Sequence, residues 1–238
     1  MSNPYFRFKQ FTVYHDRCAM KVGTDGVLLG AWCRVAGAKR ILDVGTGSGL
    51  IALMLAQRGG IQVDGVEIDE AAAAQAAENV KNSPFSGSVS VIRTSFNDFA
   101  ANCGEKYDLL VSNPPYFVNV LKPGDAGRSL ARHTEGLSYE DIVGGACSLL
   151  EKSGCLALIL PYDHFELFAQ SAREKGFSLL RKTVVYPKPG AQPKRVMTEW
   201  RRLADTHAYE EDSLVIELGR HCYSDGFKML TRDFYLNR

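Results

Sequence analysis

The sequence carries almost no net charge. Its 28 Lys and Arg are offset by 27 Asp and Glu, leaving +1 over 238 residues. Bulk electrostatics therefore announces no polyanionic partner, although a local basic patch is enough for one. Paired cysteines are missing as well. The six cysteines, at 18, 33, 103, 147, 155 and 222, form no C-x-x-C pair, and the five histidines are equally dispersed. This speaks against a zinc site or a disulfide framework, so reduced thiols and no metal are expected. No apolar run approaches the ~20 residues needed to span a bilayer. The opening MSNPYFRFKQF lacks the apolar centre of a signal peptide. A cytoplasmic protein with no membrane partner is expected. Internal repeats, low-complexity tracts and linkers are absent too, so residues 1–238 are expected to form one domain, with 1–38 as an N-terminal extension.

What is present is an ordinary apolar content of 45%, enough for a sizeable core, arranged in alternation. RILDV (40–44) is strand-like, LIALMLAQR (50–58) reads as a buried helix, and QVDGVEI (62–68) is a second strand. EAAAAQAAENVKN (70–82) is Ala-rich and helical. SVSVIRT (88–94) and YDLLVSN (107–113) are further strands. A helix near SYEDIVGGACSLLEK leads to strand CLALILP (155–161) and then to helix HFELFAQSAREKG. Such alternation predicts a parallel sheet with helices on both faces. The end differs. SLLRKTVVYPK (178–188) and RVMTEWRRL (195–203) are β-rich and separated only by a short loop, which suits antiparallel neighbours. SLVIEL (213–218) is a candidate edge strand, and YFRFKQFTV a small β-element ahead of helix GVLLGAWCRV.

The first chemistry lies in LDVGTGSGL, where Gly45, Gly47 and Gly49 stand between a strand and a helix. Such a loop lets a ligand approach bare backbone at a helix N-terminus. It is neither the G-x-G-x-x-G of a dinucleotide fold nor a Walker loop, since no Lys-Ser/Thr follows. It resembles the first motif of class I S-adenosylmethionine-dependent methyltransferases. That resemblance implies a Rossmann-like fold, here a mostly parallel seven-stranded sheet with a C-terminal antiparallel hairpin. It implies S-adenosylmethionine as cofactor, with Asp43, Gly45, Thr46, Gly47 and Gly49 in its site. At the end of the second strand the family places an acid on the ribose hydroxyls. Glu67 takes that place, with Ile68 beside the adenine, while Asp69 precedes the Ala-rich helix and suits its N-cap. The third family position, an acid near the cofactor adenine, falls in SFNDF (95–99). Ser95 or Asp98 can fill it, and Asp98 can equally cap a helix.

The second chemistry is SNPPY (112–116) at the end of the fourth strand. Adenine N6 is a poor nucleophile because its lone pair is delocalised into the ring. Acceptors aimed at its N–H groups localise that pair. Two prolines fix φ, so the turn is aimed before substrate arrives. NPPY resembles the motif of amino-directed methyltransferases, by which Asn113 and the Pro114 carbonyl accept from the amine, Pro115 holds the turn, and Tyr116 stacks on the base.

Three kinds of enzyme own that motif: adenine-N6, cytosine-N4 and glutamine-N5 methyltransferases. Stretches 6–32, 187–200 and 223–236 resemble the bacterial tRNA1(Val) adenine-N6 methyltransferases, which act on the adenosine 3′ to the anticodon. The implied partner is tRNA. Lys21, Thr24 and Asp25 then lie beside the methionine end of the cofactor, with Asp25 also suited to cap the following helix and Thr24 assisting. Arg7, Lys9, Arg128, Arg132, His133, Lys188, Lys194, Arg195, Arg201 and Arg202 form an expected phosphate track, and 117–136 reads as a mobile loop. A glutamine-directed protein methyltransferase and a non-catalytic RNA-binding protein are the alternatives. A monomer is favoured, although nothing in the sequence fixes the oligomeric state.

Overall fold

The computed structural model describes residues 3–59, 61–115, 137–202 and 208–236. Its centre is an eight-stranded sheet. Strands β3 (Arg40–Val44), β4 (Gln62–Glu67), β5 (Val89–Arg93), β6 (Tyr107–Ser112) and β7 (Leu150–Pro161) are parallel to one another. Their near-continuous apolar runs are what burial on both faces requires. β8 (Phe177–Tyr186) and β9 (Arg195–Arg202) form the expected hairpin, and β9 pairs antiparallel with both β7 and β8. The candidate edge strand runs over β10 (Glu210–Val215) and lies parallel to β8. It raises the expected seven strands to eight, in the order β10-β8-β9-β7-β6-β3-β4-β5.

The helices divide between the two faces. α1 (Thr24–Trp32), α2 (Leu50–Gln57) and α7 (Asp225–Thr231) pack one apolar cluster, and Val80 of α3 (Glu70–Lys81) joins it. α5 (Tyr139–Leu149) and α6 (Phe165–Glu174) pack the other, with Phe96 of α4 (Phe96–Asn102). Local signals set several helix starts. Asp69 accepts the Ala72 N–H at 2.8 Å and caps α3, as expected. Ser138 and Asp141 make a reciprocal capping box on α5. In the second cluster Trp200 of β9, fully buried, meets Phe168 of α6 edge-on at 5.7 Å, which packs the hairpin against that helix.

Before α1 come β1 (Tyr5–Arg7) and β2 (Thr12–Tyr14), a small antiparallel pair. This pair meets the other end of the chain. Phe8 bridges Tyr235, the Lys9 N–H donates to the Phe234 carbonyl, and Phe8 stacks on Phe11 at 4.9 Å. Two short strands, β11 (Glu217–Gly219) and β12 (Cys222–Tyr223), lead into α7.

The connection order matters for function. From β3 the chain moves outward through β4 to β5, while from β6 it moves the other way to β7. The crossing helices α2 and α5 lie on opposite faces. A crevice therefore opens at the carboxyl ends of β3 and β6, the point where strand order reverses.

Candidate active site at the carboxyl ends of β3 and β6

Both motifs singled out in the sequence emerge at this switch point. β3 ends at Val44 and runs into the glycine loop; β6 ends at Ser112 and runs into Asn113, Pro114 and Pro115. Val44 and Ser112 are register partners, and the Ser112 hydroxyl donates to the Val44 carbonyl at 2.9 Å. One side-chain bond thus ties the last residue of one strand to the last of the other, fixing where the two turns begin. Tyr116 lies outside the described residues.

The glycine loop is held open. Gly45, Gly47 and Gly49 have φ of 70°, 57° and 80°, the left-handed region that favours glycine. A Cβ built on Gly45 or Gly47 would meet no atom within 4 Å, so the space above the loop is clear. From below, the Gly45 and Thr46 N–H groups donate to the Val66 carbonyl at 2.9 and 3.0 Å. Gly65 allows this approach, since a Cβ there would stand 2.9 Å from the Thr46 side chain.

Two carboxylates frame the loop. Asp43 is fully buried. Its Oδ2 accepts from the Thr46 hydroxyl at 2.6 Å and the Ala52 N–H at 3.1 Å, while Oδ1 has no hydrogen-bond partner among the described residues. Burial pushes its pKa up to about 7, against the opposing pull of those two hydrogen bonds. Glu67, the last residue of β4, accepts the Gly47 N–H at 2.9 Å and the Asp69 N–H at 2.9 Å. It therefore braces both the loop and the start of α3. Ile68 beside it is 69% exposed.

Comparison with known proteins adds the family. The methyltransferase small domain family matches residues 23–164. Proteins named tRNA1(Val) (adenine(37)-N6)-methyltransferase are similar along nearly the whole chain. The one from Parabacteroides distasonis is 49% identical over 99% of each chain. That from Serratia proteamaculans is 46% identical over 97% of this chain and 89% of its own. The chain belongs to the methyltransferase small domain family. Among solved structures, a predicted O-methyltransferase from Agrobacterium tumefaciens shares the fold, with TM-score 0.68 at 19% identity over 88% of this chain and 96% of that one.

Thr24 and Asp25 open α1 beside the end of the glycine loop, and Lys21 precedes them in the chain. A Cβ on Gly26 would stand 3.0 Å from Leu50, so α1 and α2 start side by side. The capping expected of Asp25 and Thr24 is absent. Gly23 occupies the N-cap with no side-chain bond, and Thr24 is the first helical residue. Asp25 instead receives the Arg195 Nε at 2.7 Å. Of the pair in SFNDF, Ser95 caps α4, accepting the Asp98 N–H at 3.0 Å. Asp98, expected as a possible cap, turns its Oδ2 back to the Ser95 hydroxyl at 2.6 Å.

The expected phosphate track does not hold as one set. Arg195 is the first residue of β9 and pairs with Pro161, so Lys188, Lys194 and Arg195 stand at the site edge. Arg202, the last residue of β9, pairs with Phe177, the first of β8. Arg201 and Arg202 are therefore on the opposite edge, about 20 Å away at 3.3 Å per residue. Arg201 Nη2 meets Cys155 Sγ at 3.1 Å. Lys9 is also remote. Its ammonium bonds the Arg232 carbonyl, beside Asp233, whose carbonyl is held by Gln57 at the far end of α2. Arg128, Arg132, His133 and the rest of 117–136 fall outside the described residues.

Sequence reading missed the stitching of the N-terminal segment onto α3. Asn79 Nδ2 donates to the carbonyls of Tyr14 at 2.8 Å and Ser48 at 2.9 Å, while its Oδ1 accepts the Tyr14 N–H at 2.9 Å. Gln75 accepts the Arg17 N–H at 2.9 Å and donates to Asp16 at 2.7 Å. Two amides in the middle of an Ala-rich helix were the available signal, because buried amides need partners.

Proposed function

We propose that this protein transfers a methyl group from S-adenosylmethionine to N6 of an adenosine in tRNA, the one 3′ to the anticodon of tRNA1(Val). The observation that carries the reading is the Ser112–Val44 bond, which starts an Asn-Pro-Pro turn and an open glycine loop side by side. The names of relatives nearly half identical over the full length support the same substrate.

The residues present fit the cofactor. Asp43 offers a buried oxygen with no hydrogen-bond partner among the described residues to the cationic methionine end, Gly45 and Gly47 leave their upper face clear, and Thr46 holds Asp43 in place. Gly49 begins α2 in the same loop. Lys21, Thr24 and Asp25 flank the methionine end from α1's start. Glu67 receives the ribose hydroxyls, exposed Ile68 covers the adenine, and Asp98 accepts from its amino group. When bound, the cofactor's sulfonium supplies the methyl group.

This chain's own part is to present the amine. Asn113 Oδ1 and the Pro114 carbonyl accept from the two N6–H groups, drawing the nitrogen lone pair out of conjugation. Pro115 keeps the turn rigid, so the acceptors need no rearrangement as charge develops. Tyr116 stacks on the base. No strong general base is required, because the amine loses its proton to water only after it has become cationic. An adenosine in a single-stranded loop reaches such a turn at lower cost than one inside a duplex.

The test is Asn113→Ala. The variant is expected to lose roughly 100- to 1,000-fold in kcat, by analogy with removal of one preorganised polar group, while tRNA and cofactor still bind. Nucleoside mass spectrometry of undermodified tRNA incubated with protein and cofactor should show N6-methyladenosine. An unchanged rate in the variant, or methylated glutamine in a release factor with no methylated tRNA, overturns the reading.

A further inference from the structure

We propose that Tyr162 and the adjoining Lys188 and Lys194 form a stacking platform for a base flanking the target adenosine in single-stranded RNA. This surface rests on the proposed function and names the part of the tRNA that the site edge grips.

Placement comes from register. Leu158 of β7 is the partner of Ser112 of β6. β7 runs three residues further, to Pro161, while β6 ends at Ser112 and its chain turns out of the ladder through Asn113, Pro114 and Pro115, so Pro161 stands about 10 Å beyond the level of Ser112 at the same edge of the sheet. Tyr162 is the next residue after Pro161 and opens a 3-10 turn. The target base and the ring of Tyr162 are therefore within reach of neighbouring nucleotides.

The ring is also available. Among the described residues four tyrosines are exposed: Tyr5, Tyr14, Tyr162 and Tyr209. Tyr5 and Tyr14 face each other at 5.5 Å, and Tyr209 bonds Glu211 and lies under Lys182. Tyr162, 42% exposed, has no ring pair and no side-chain hydrogen bond among the described residues, and its hydroxyl lies in the field of the Lys182 ammonium. Its backbone is fixed nonetheless. Pro161 precedes it and its N–H donates to the Lys194 carbonyl at 3.2 Å. The following residue pair is anchored as well, since His164 Nδ1 meets the Tyr139 hydroxyl at 3.0 Å. A rigid backbone presenting an idle aromatic ring is what base stacking uses, because every base has a π-face.

Charge agrees. The neighbouring cations Arg195 and Lys182 are neutralised by Asp25 and Glu211. Lys188 and Lys194 are exposed and carry no side-chain partner among the described residues. Their ammonium groups are free for phosphates on either side of a stacked base.

Steady-state kinetics with tRNA and with an anticodon stem-loop oligonucleotide test the surface. Tyr162→Ala should raise the apparent KM for RNA roughly 5- to 100-fold, the range expected for one lost stack. kcat at saturating RNA and cofactor affinity should stay at wild-type values, and Tyr162→Phe should restore the KM. Lys194→Glu should weaken RNA binding with a shallower salt dependence. If wild-type protein methylates tRNA but Tyr162→Ala leaves the KM unchanged, the platform is wrong and the proposed function stands. If Tyr162→Phe is as impaired as Tyr162→Ala, the ring is not stacking. A wild-type protein inactive on tRNA removes the proposed function and this surface together.

Discussion

Asp43 and Glu199 are both fully buried carboxylates, yet the protein treats them in opposite ways. Glu199, in the middle of β9, is surrounded by cations. Arg181 Nε lies 3.3 Å away and Arg34 Nε 3.8 Å, and the Arg34 N–H donates to Oε1 at 3.3 Å. Arg181 in turn stacks over the Trp32 ring at 3.6 Å and donates to the Trp32 carbonyl. Among the described residues Asp43 has only the neutral donors of Thr46 and Ala52; Glu199 Oε2 also lacks a hydrogen bond, but it faces two guanidinium groups, whereas Asp43 has no ion-pair partner. A carboxylate that serves the fold is paired at once, because an unpaired buried charge is expensive. One kept short of a cation, beneath an open glycine loop, is a candidate to meet a ligand. The fold tolerates the imbalance by letting Asp43 keep its proton up to about pH 7.

The largest test of this contrast is Glu199→Ala. It leaves the largely buried Arg181 guanidinium without its anion, while half-exposed Arg34 keeps Glu210, and chemical denaturation should show a loss of ~3–5 kcal/mol. Any folded fraction should bind S-adenosylmethionine normally. Asp43→Asn should do the reverse. Its stability above neutral pH should match or exceed the wild type, while isothermal titration should show cofactor affinity lowered by roughly 10- to 100-fold, the worth of a charge-assisted hydrogen bond. Equal stability losses in both variants would erase the distinction.

The smallest effect is in pH dependence. Folded cofactor-free protein keeps the Asp43 proton to about pH 7, whereas the unfolded chain releases it near 3.8. Between those values the folded state holds more protons, so through this group stability falls as pH rises from 4 to 7, with no further loss above. Cofactor affinity runs the other way, since a cationic ligand prefers the carboxylate. It should strengthen about tenfold between pH 6 and 8, and Asp43→Asn should flatten that slope.

The parallel half of the sheet was legible because its signals are local. RILDV is β3 residue for residue, and the expected α3 differs by one residue at its end. Each carries its own periodicity, punctuation and cap. The two turns of the site were legible for the same reason, since glycine and proline constrain the backbone wherever they stand. What stayed hidden depends on pairing between distant segments. Arg195 meets Asp25 across 170 positions, and Asn79 meets Tyr14 across 65. Arg195 and Arg202 look like one basic cluster in the sequence, but an extended strand carries them to opposite edges of the sheet. At α4, Ser and Asp three residues apart both suit a cap, and only geometry decides that Ser95 takes it.

The union of Phe8 with Tyr235 has a consequence for how the protein comes into being. On the ribosome, the first dozen residues emerge long before their counterpart has been translated. Tyr14 and Arg17 can dock on Asn79 and Gln75 as soon as α3 is made, but Phe8 must wait for Tyr235. The joining of the two distant segments is therefore among the last contacts of biosynthesis, made after every strand of the central sheet has been translated.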